Sequence, residues 1–101
     1  MDNRLKLQNL LEEILGSDQV YYQPPSSVRM KYPAIVYSRN KIDNLVANDG
    51  VYLQRFSYQI TVMDYDPDSE IVMKISRIPG ISHDTHFTSD NLNHDTFTLT
   101  Y

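Results

Sequence analysis

Six residues near the C-terminal end have side chains that could do chemistry: His83, His86 and His94, with Asp84, Asp90 and Asp95. Imidazole and carboxylate are ligands for zinc and similar ions, and a zinc site takes three or four of them at close tetrahedral spacing. His83 and His86 stand three apart, so on a regular strand their side chains leave on opposite sides. A ligand pair there needs a bend between them. Turn-forming aspartates and solvated histidines account for the same letters, and that is the expectation. A second acidic set, Asp64, Asp66, Asp68 and Glu70, alternates as calcium ligands do. Pro67 interrupts it, and no glycine stands at the sixth loop position. Helix capping explains this run with less, so no metal and no cofactor is expected.

Catalytic patterns are equally thin. The chain has no cysteine, which removes thiolate chemistry, thiolate metal sites and disulfides together. No Gly-x-Ser-x-Gly elbow is present, and the three glycines stand apart at 16, 50 and 80, so no phosphate loop forms from them. An enzyme is not expected. The charged pair Arg39 and Arg55 reads differently. If the strands that carry them pair, both are expected on one projecting face, either solvated or bridging to an acidic neighbouring subunit.

The elements that must hold these groups fit one domain over residues 1–101. The 41% apolar and 22% charged fractions suit a globular chain. No apolar run approaches the roughly 20 residues that span a bilayer. The start, Met1-Asp2-Asn3-Arg4-Leu5, lacks a basic region followed by an apolar one, so no signal peptide is expected. Nine basic residues against thirteen acidic ones give a formal charge of −4. That offers little for phosphate neutralisation, which dominates nonspecific nucleic-acid binding. Tyrosine is abundant, eight against no tryptophan, and suits both sheet faces and interfaces.

Along the chain, Leu7, Leu10, Leu11 and Ile14 make one helical face over residues 3–15. Asp2 or Asn3 can cap this helix and Gly16 can end it. Its basic residues come early and its acidic ones late, against the helix dipole. Val20-Tyr21-Tyr22 predicts a short strand, and Pro24-Pro25 opens a loop that runs to Pro33. Residues 34–43 predict a strand whose apolar first half is buried on both faces. Asn48-Asp49-Gly50 is a turn signal. Residues 52–64 alternate, with Tyr52, Phe56, Tyr58, Ile60 and Val62 on one face and Leu53, Arg55, Ser57, Gln59, Thr61 and Met63 on the other. This predicts a strand about 40 Å long, which overhangs the core of so small a chain. Asp66 or Asp68 is the expected cap of a helix of about ten residues, with Pro67 in its first turn and Ile71, Ile75 and Ile78 as its stripe. Residues 82–101 predict a hairpin that turns at Asp90-Asn91-Leu92-Asn93. The expected fold class is α+β: a mostly antiparallel sheet with two helices packed on one face and a long projecting β-hairpin.

Several segments together carry a resemblance. Tyr22-Gln23-Pro24-Pro25-Ser26, Met30-Lys31-Tyr32-Pro33-Ala34-Ile35-Val36-Tyr37, Tyr58-Gln59-Ile60-Thr61-Val62, Asp66-Pro67-Asp68-Ser69 and Asp90-Asn91-Leu92-Asn93-His94-Asp95 are similar to a group of small siphophage and prophage tail proteins, the tail terminators or tail completion proteins of the lambda-like type. The resemblance implies a single tail-terminator-like domain that assembles into a hexameric ring. Such a ring caps the tail tube, stops its polymerisation and offers a surface for head joining. Its implied partners are the major tail tube protein and a head connector or stopper, with DNA passing through unread and no membrane involved. Its implied location is the tail–head junction of the virion, reached from the bacterial host cytoplasm. A stopper or adaptor of the same neck is the alternative, and a metal protein or enzyme using His83, His86 and His94 is a second. The family's hairpin commonly reaches a neighbouring subunit. On that basis Arg39, Lys41, Asn48, Asp49 and Arg55 are the candidate interface residues, and Asp and Glu are expected to line the lumen.

Overall fold

The computed structural model describes residues 3–25, 27–46 and 52–100. Two helices and five strands follow in the order α1 (Asn3–Leu15), β1 (Val20–Tyr22), β2 (Ala34–Val46), β3 (Tyr52–Asp64), α2 (Glu70–Ile75), β4 (Ile81–Ser89) and β5 (Leu92–Thr100). The strands form one sheet in the order β1-β2-β3-β5-β4. Only β1 and β2 run parallel, and every other neighbour is antiparallel. The class is therefore α+β, as the element pattern predicts.

The period-two pattern of β3 sorts its residues as expected. Tyr58, Ile60 and Val62 are buried together with Tyr37 of β2 and Phe97 and Leu99 of β5. Leu7 and Leu11 of α1 and Ile75 of α2 close this cluster, each with no exposed surface. Both helices thus pack on the face that β3 offers through its even-numbered residues. Truncating either leucine to alanine should cost about 2–5 kcal/mol, the range for buried leucines that leave a cavity. The opposite face holds a smaller cluster of Ala34, Met63 and Leu92, which Met30 of the 23–33 loop helps to cover. Antiparallel sheets commonly bury one face deeply and leave the other largely wet.

Local chemistry explains the element ends. Gly16 adopts φ 77° and donates its N–H to Glu12 O at 2.8 Å, closing α1. Arg4, placed against the helix dipole, lies 4.6 Å over the Tyr22 ring and donates to the Tyr37 hydroxyl at 3.4 Å. Those contacts give the unfavourable position a compensating role.

Three expectations need correction. First, α2 has six residues, and its N-cap is Ser69, not an aspartate. The Asp64 carboxylate accepts the Asp66 N–H at 3.0 Å, and the Asp66 carboxylate accepts the Asp68 N–H at 2.9 Å. Short acidic side chains readily bond the backbone two residues on, so they shape the turn before the helix instead of capping it. Pro67 accordingly lies in the turn, and Ile78 packs on the core from beyond the helix. Second, the hairpin turn is only Asp90-Asn91, at φ 54° and 64°, and β5 already starts at Leu92. Two left-handed residues are what a tight turn between twisted strands requires. Third, β2 runs three residues past the expected Asp43, because its partner strand continues alongside it. Asp2, the Asn3 side chain and the Asn48-Asp49-Gly50 turn lie outside the described residues.

Candidate functional site

Two places gather the residues singled out by type. The first is the far part of the β2–β3 ladder. Strand β1 accompanies β2 only as far as Tyr22 opposite Tyr37, and β5 accompanies β3 only to Thr100 opposite Ser57. Beyond these pairs β2 and β3 still face each other from Ile42 and Phe56 out to Val46 and Tyr52. Among the described residues no third strand joins them there. Arg39, Asn40, Lys41, Ile42, Asp43, Asn44, Gln54 and Arg55 are all exposed. The described parts of the chain span 53 × 23 × 23 Å.

Register decides how the cations are arranged. Arg39 stands across from Tyr58, and an irregularity at Asn40 shifts the pairing, so that Lys41 faces Ser57 and Asp43 faces Arg55. Tyr58 belongs to the helix-side face and Ser57 and Arg55 to the other. Arg39 and Arg55 therefore sit on opposite faces, and the expectation of one shared face fails. One extra residue in a ladder changes which residues oppose each other. Lys41 and Arg55 do share a face, and Lys41 Nζ pairs with Asp43 at 3.2 Å. Asn48 and Asp49, the other two candidates, lie outside the described residues. Sequence reasoning passed over Ile42, which is 41% exposed and stands opposite Phe56 on the same face as Arg39. An exposed isoleucine inside a polar run was the available signal.

The second place is β4, the edge strand. His83 faces Phe97 and His86 faces Asp95, with the irregularity between them at Asp84. Three steps along β4 match two along β5, and this is the bend that a common face requires. His83 Nε2 and His86 Nδ1 each lie 3.0 Å from the same oxygen, Asp95 Oδ1. The Asp95 side chain is 13% exposed and both imidazoles are 45% exposed. Each ring nitrogen there donates to the carboxylate, which fixes its tautomer. His83 also packs edge-on against Phe97, with centroids 5.1 Å apart.

His94 does not join them. It stands across from Met63 on one side and Phe87 on the other, on the face away from the helices. Its ring stacks on Phe87 at 4.6 Å, and its Nδ1 donates to Leu92 O at 3.0 Å. The trio of histidines is therefore split by the sheet. Of the other two acidic candidates, Asp84 accepts from the Thr98 hydroxyl at 2.7 Å and Asp90 forms the turn. Among the described residues no group of three or more His, Asp or Glu could hold a metal ion. Asp95 as a shared acceptor was not legible, because it depends on the irregular register.

The chain matches no protein-family model and no curated protein sequence.

Proposed function

We propose that this chain is a structural part of a tailed phage or prophage. It forms a ring at the head-proximal end of the tail tube, ends tube polymerisation and presents the surface for head joining. One observation carries the reading: the β2–β3 ladder continues past the last pair that either strand makes with the rest of the sheet. A two-stranded ladder without a packed face is marginal by itself, and its open edges invite another chain. In this reading it is a projecting arm that rests on a neighbouring subunit, with Arg39, Lys41 and Arg55 among its contacts. The resemblance to tail terminators supplies the hexamer, the tube and connector partners, the virion location and the acidic lumen through which DNA slides.

A stopper or adaptor of the same neck is the second reading, since an intersubunit arm serves it equally well. Deleting the gene and imaging the particles separates the two. Termination predicts overlong tails detached from filled heads, whereas a stopper defect predicts heads that leak DNA. Normal tails on filled, joined heads would refute both.

A further inference from the structure

The exit of β3 carries an exposed surface of aromatic and acidic side chains. Tyr65 is 60% exposed and Tyr32 is 38% exposed, and their rings meet edge to face at 5.6 Å. Beside them Asp64, Asp66, Asp68 and Glu70 place four carboxylates within seven residues; the nearest cations in the chain are Lys31, next to Tyr32, and Lys74 and Arg77, which line one pocket with Glu70. None of the four makes an ion pair among the described residues. The turn is held in shape by its own Asp64 and Asp66 side chains. Ser69, in the same turn, buries its hydroxyl with no hydrogen-bond partner.

A surface of the complementary kind lies elsewhere on the same chain. On the helix-side face of the far β2–β3 ladder, exposed Ile42 stands opposite half-buried Phe56, and Arg39 lies on the same face. Arg39 makes no ion pair among the described residues. Seven strand steps separate Phe56 from Met63, about 23 Å, so one copy cannot close this contact on itself.

We propose that the Tyr32–Tyr65 surface and its acidic turn are the acceptor for the Arg39–Ile42–Phe56 face of a second copy of this chain. Ile42 and Phe56 meet the tyrosine rings, and Arg39 meets Asp66 and Asp68. The two surfaces differ and lie apart on the chain, which suits a head-to-tail contact that repeats from copy to copy, the kind of interface that closes into a ring. Like charge repels acidic turn from acidic turn, and this disfavours a two-fold contact of turn with turn. The inference rests on the ring reading and names what the arm would meet.

The absence of native cysteine permits a direct test on the full chain. Ile42→Cys protein is mixed with Tyr65→Cys protein and oxidised at high concentration. A disulfide forms only where the two Cα atoms come within about 7 Å. The expected product is the mixed Ile42→Cys/Tyr65→Cys dimer, about tenfold above a control in which exposed Met73→Cys replaces Tyr65→Cys. Reversing Asp66 and Asp68 to lysine should lower that yield about tenfold, and Arg39→Glu on the other chain should restore it. Circular dichroism checks that each variant is folded. Mixed dimer no greater than control, predominant Ile42→Cys homodimer, or no rescue by the second reversal would each overturn the acceptor. Those outcomes are separate from particle imaging, which tests the role in the tail.

Discussion

The Tyr37 hydroxyl donates to Gln8 Oε1 at 2.5 Å, which ties the middle of β2 to the inner side of α1. Gln8 in turn donates to Val20 O at 3.1 Å and to Glu12 at 3.0 Å, so one amide joins the helix to two strands. Tyr37→Phe keeps the ring packing and leaves Gln8 Oε1 without that donor. It should cost about 1–2 kcal/mol, measured as a shift of the urea midpoint at unchanged slope. No shift would mean that water replaces the phenol without loss.

Burial raises the Tyr37 pKa above its ordinary value of 10.0, outweighing the opposing pull of Arg4. The folded chain therefore holds this proton more tightly than the unfolded one. The resulting stability is fully present below about pH 10 and is lost as pH rises through 10 toward the raised folded value. Wild type should lose stability over that window faster than Tyr37→Phe. Parallel curves for the two proteins from pH 9 to 11 would contradict this.

Gly16 and Gly80 both have positive φ, at 77° and 85°, but their surroundings differ. A Cβ on Gly16 would meet nothing within 4 Å, whereas one on Gly80 would lie 2.6 Å from the Thr100 carbonyl oxygen. Gly16→Ala should cost about 1 kcal/mol through backbone strain alone. Gly80→Ala should cost about 2–3 kcal/mol, because the Gly80–Thr100 pairing must also shift. Thermal or urea unfolding of both proteins checks the order, and equal losses would show that the Thr100 contact relaxes freely.

Asp95 serves two histidines with one oxygen, so its removal should be felt more than the removal of either. Asp95→Ala should destabilise by about 1–2 kcal/mol, and His83→Ala or His86→Ala singly by about 0.5 kcal/mol, since half-exposed rings regain water. Amide exchange along β4 should quicken in Asp95→Ala. A larger loss from His83→Ala than from Asp95→Ala would point to the His83–Phe97 ring contact as the main anchor.

Ser69 stands at the N-cap of α2 without a side-chain cap bond, and its buried hydroxyl has no partner. Ser69→Ala should therefore be neutral or slightly stabilising, because it removes an unsatisfied polar group. A working cap would instead lose about 1 kcal/mol on the same change. Chemical unfolding distinguishes the two.

Periodicity alone determined α1 and β3. The leucine spacing of residues 3–15 and the alternation of residues 52–64 each oblige a chain of this size to bury one face, and both did so as expected. Gly16 likewise ended its helix for a purely local reason. Element order and alternation also set the α+β class and the helix-side set Tyr58, Ile60 and Val62. Pairing decided the rest. Whether Arg39 shares a face with Arg55, or His83 with His86, turns on single extra residues at Asn40 and Asp84. Those irregularities arise from the fit of two strands to each other, so neither strand's own pattern records them. A one-residue offset separates the two arginines and brings the two histidines onto Asp95. Only tertiary structure could decide this, because the period of a strand is two and any odd shift exchanges its faces.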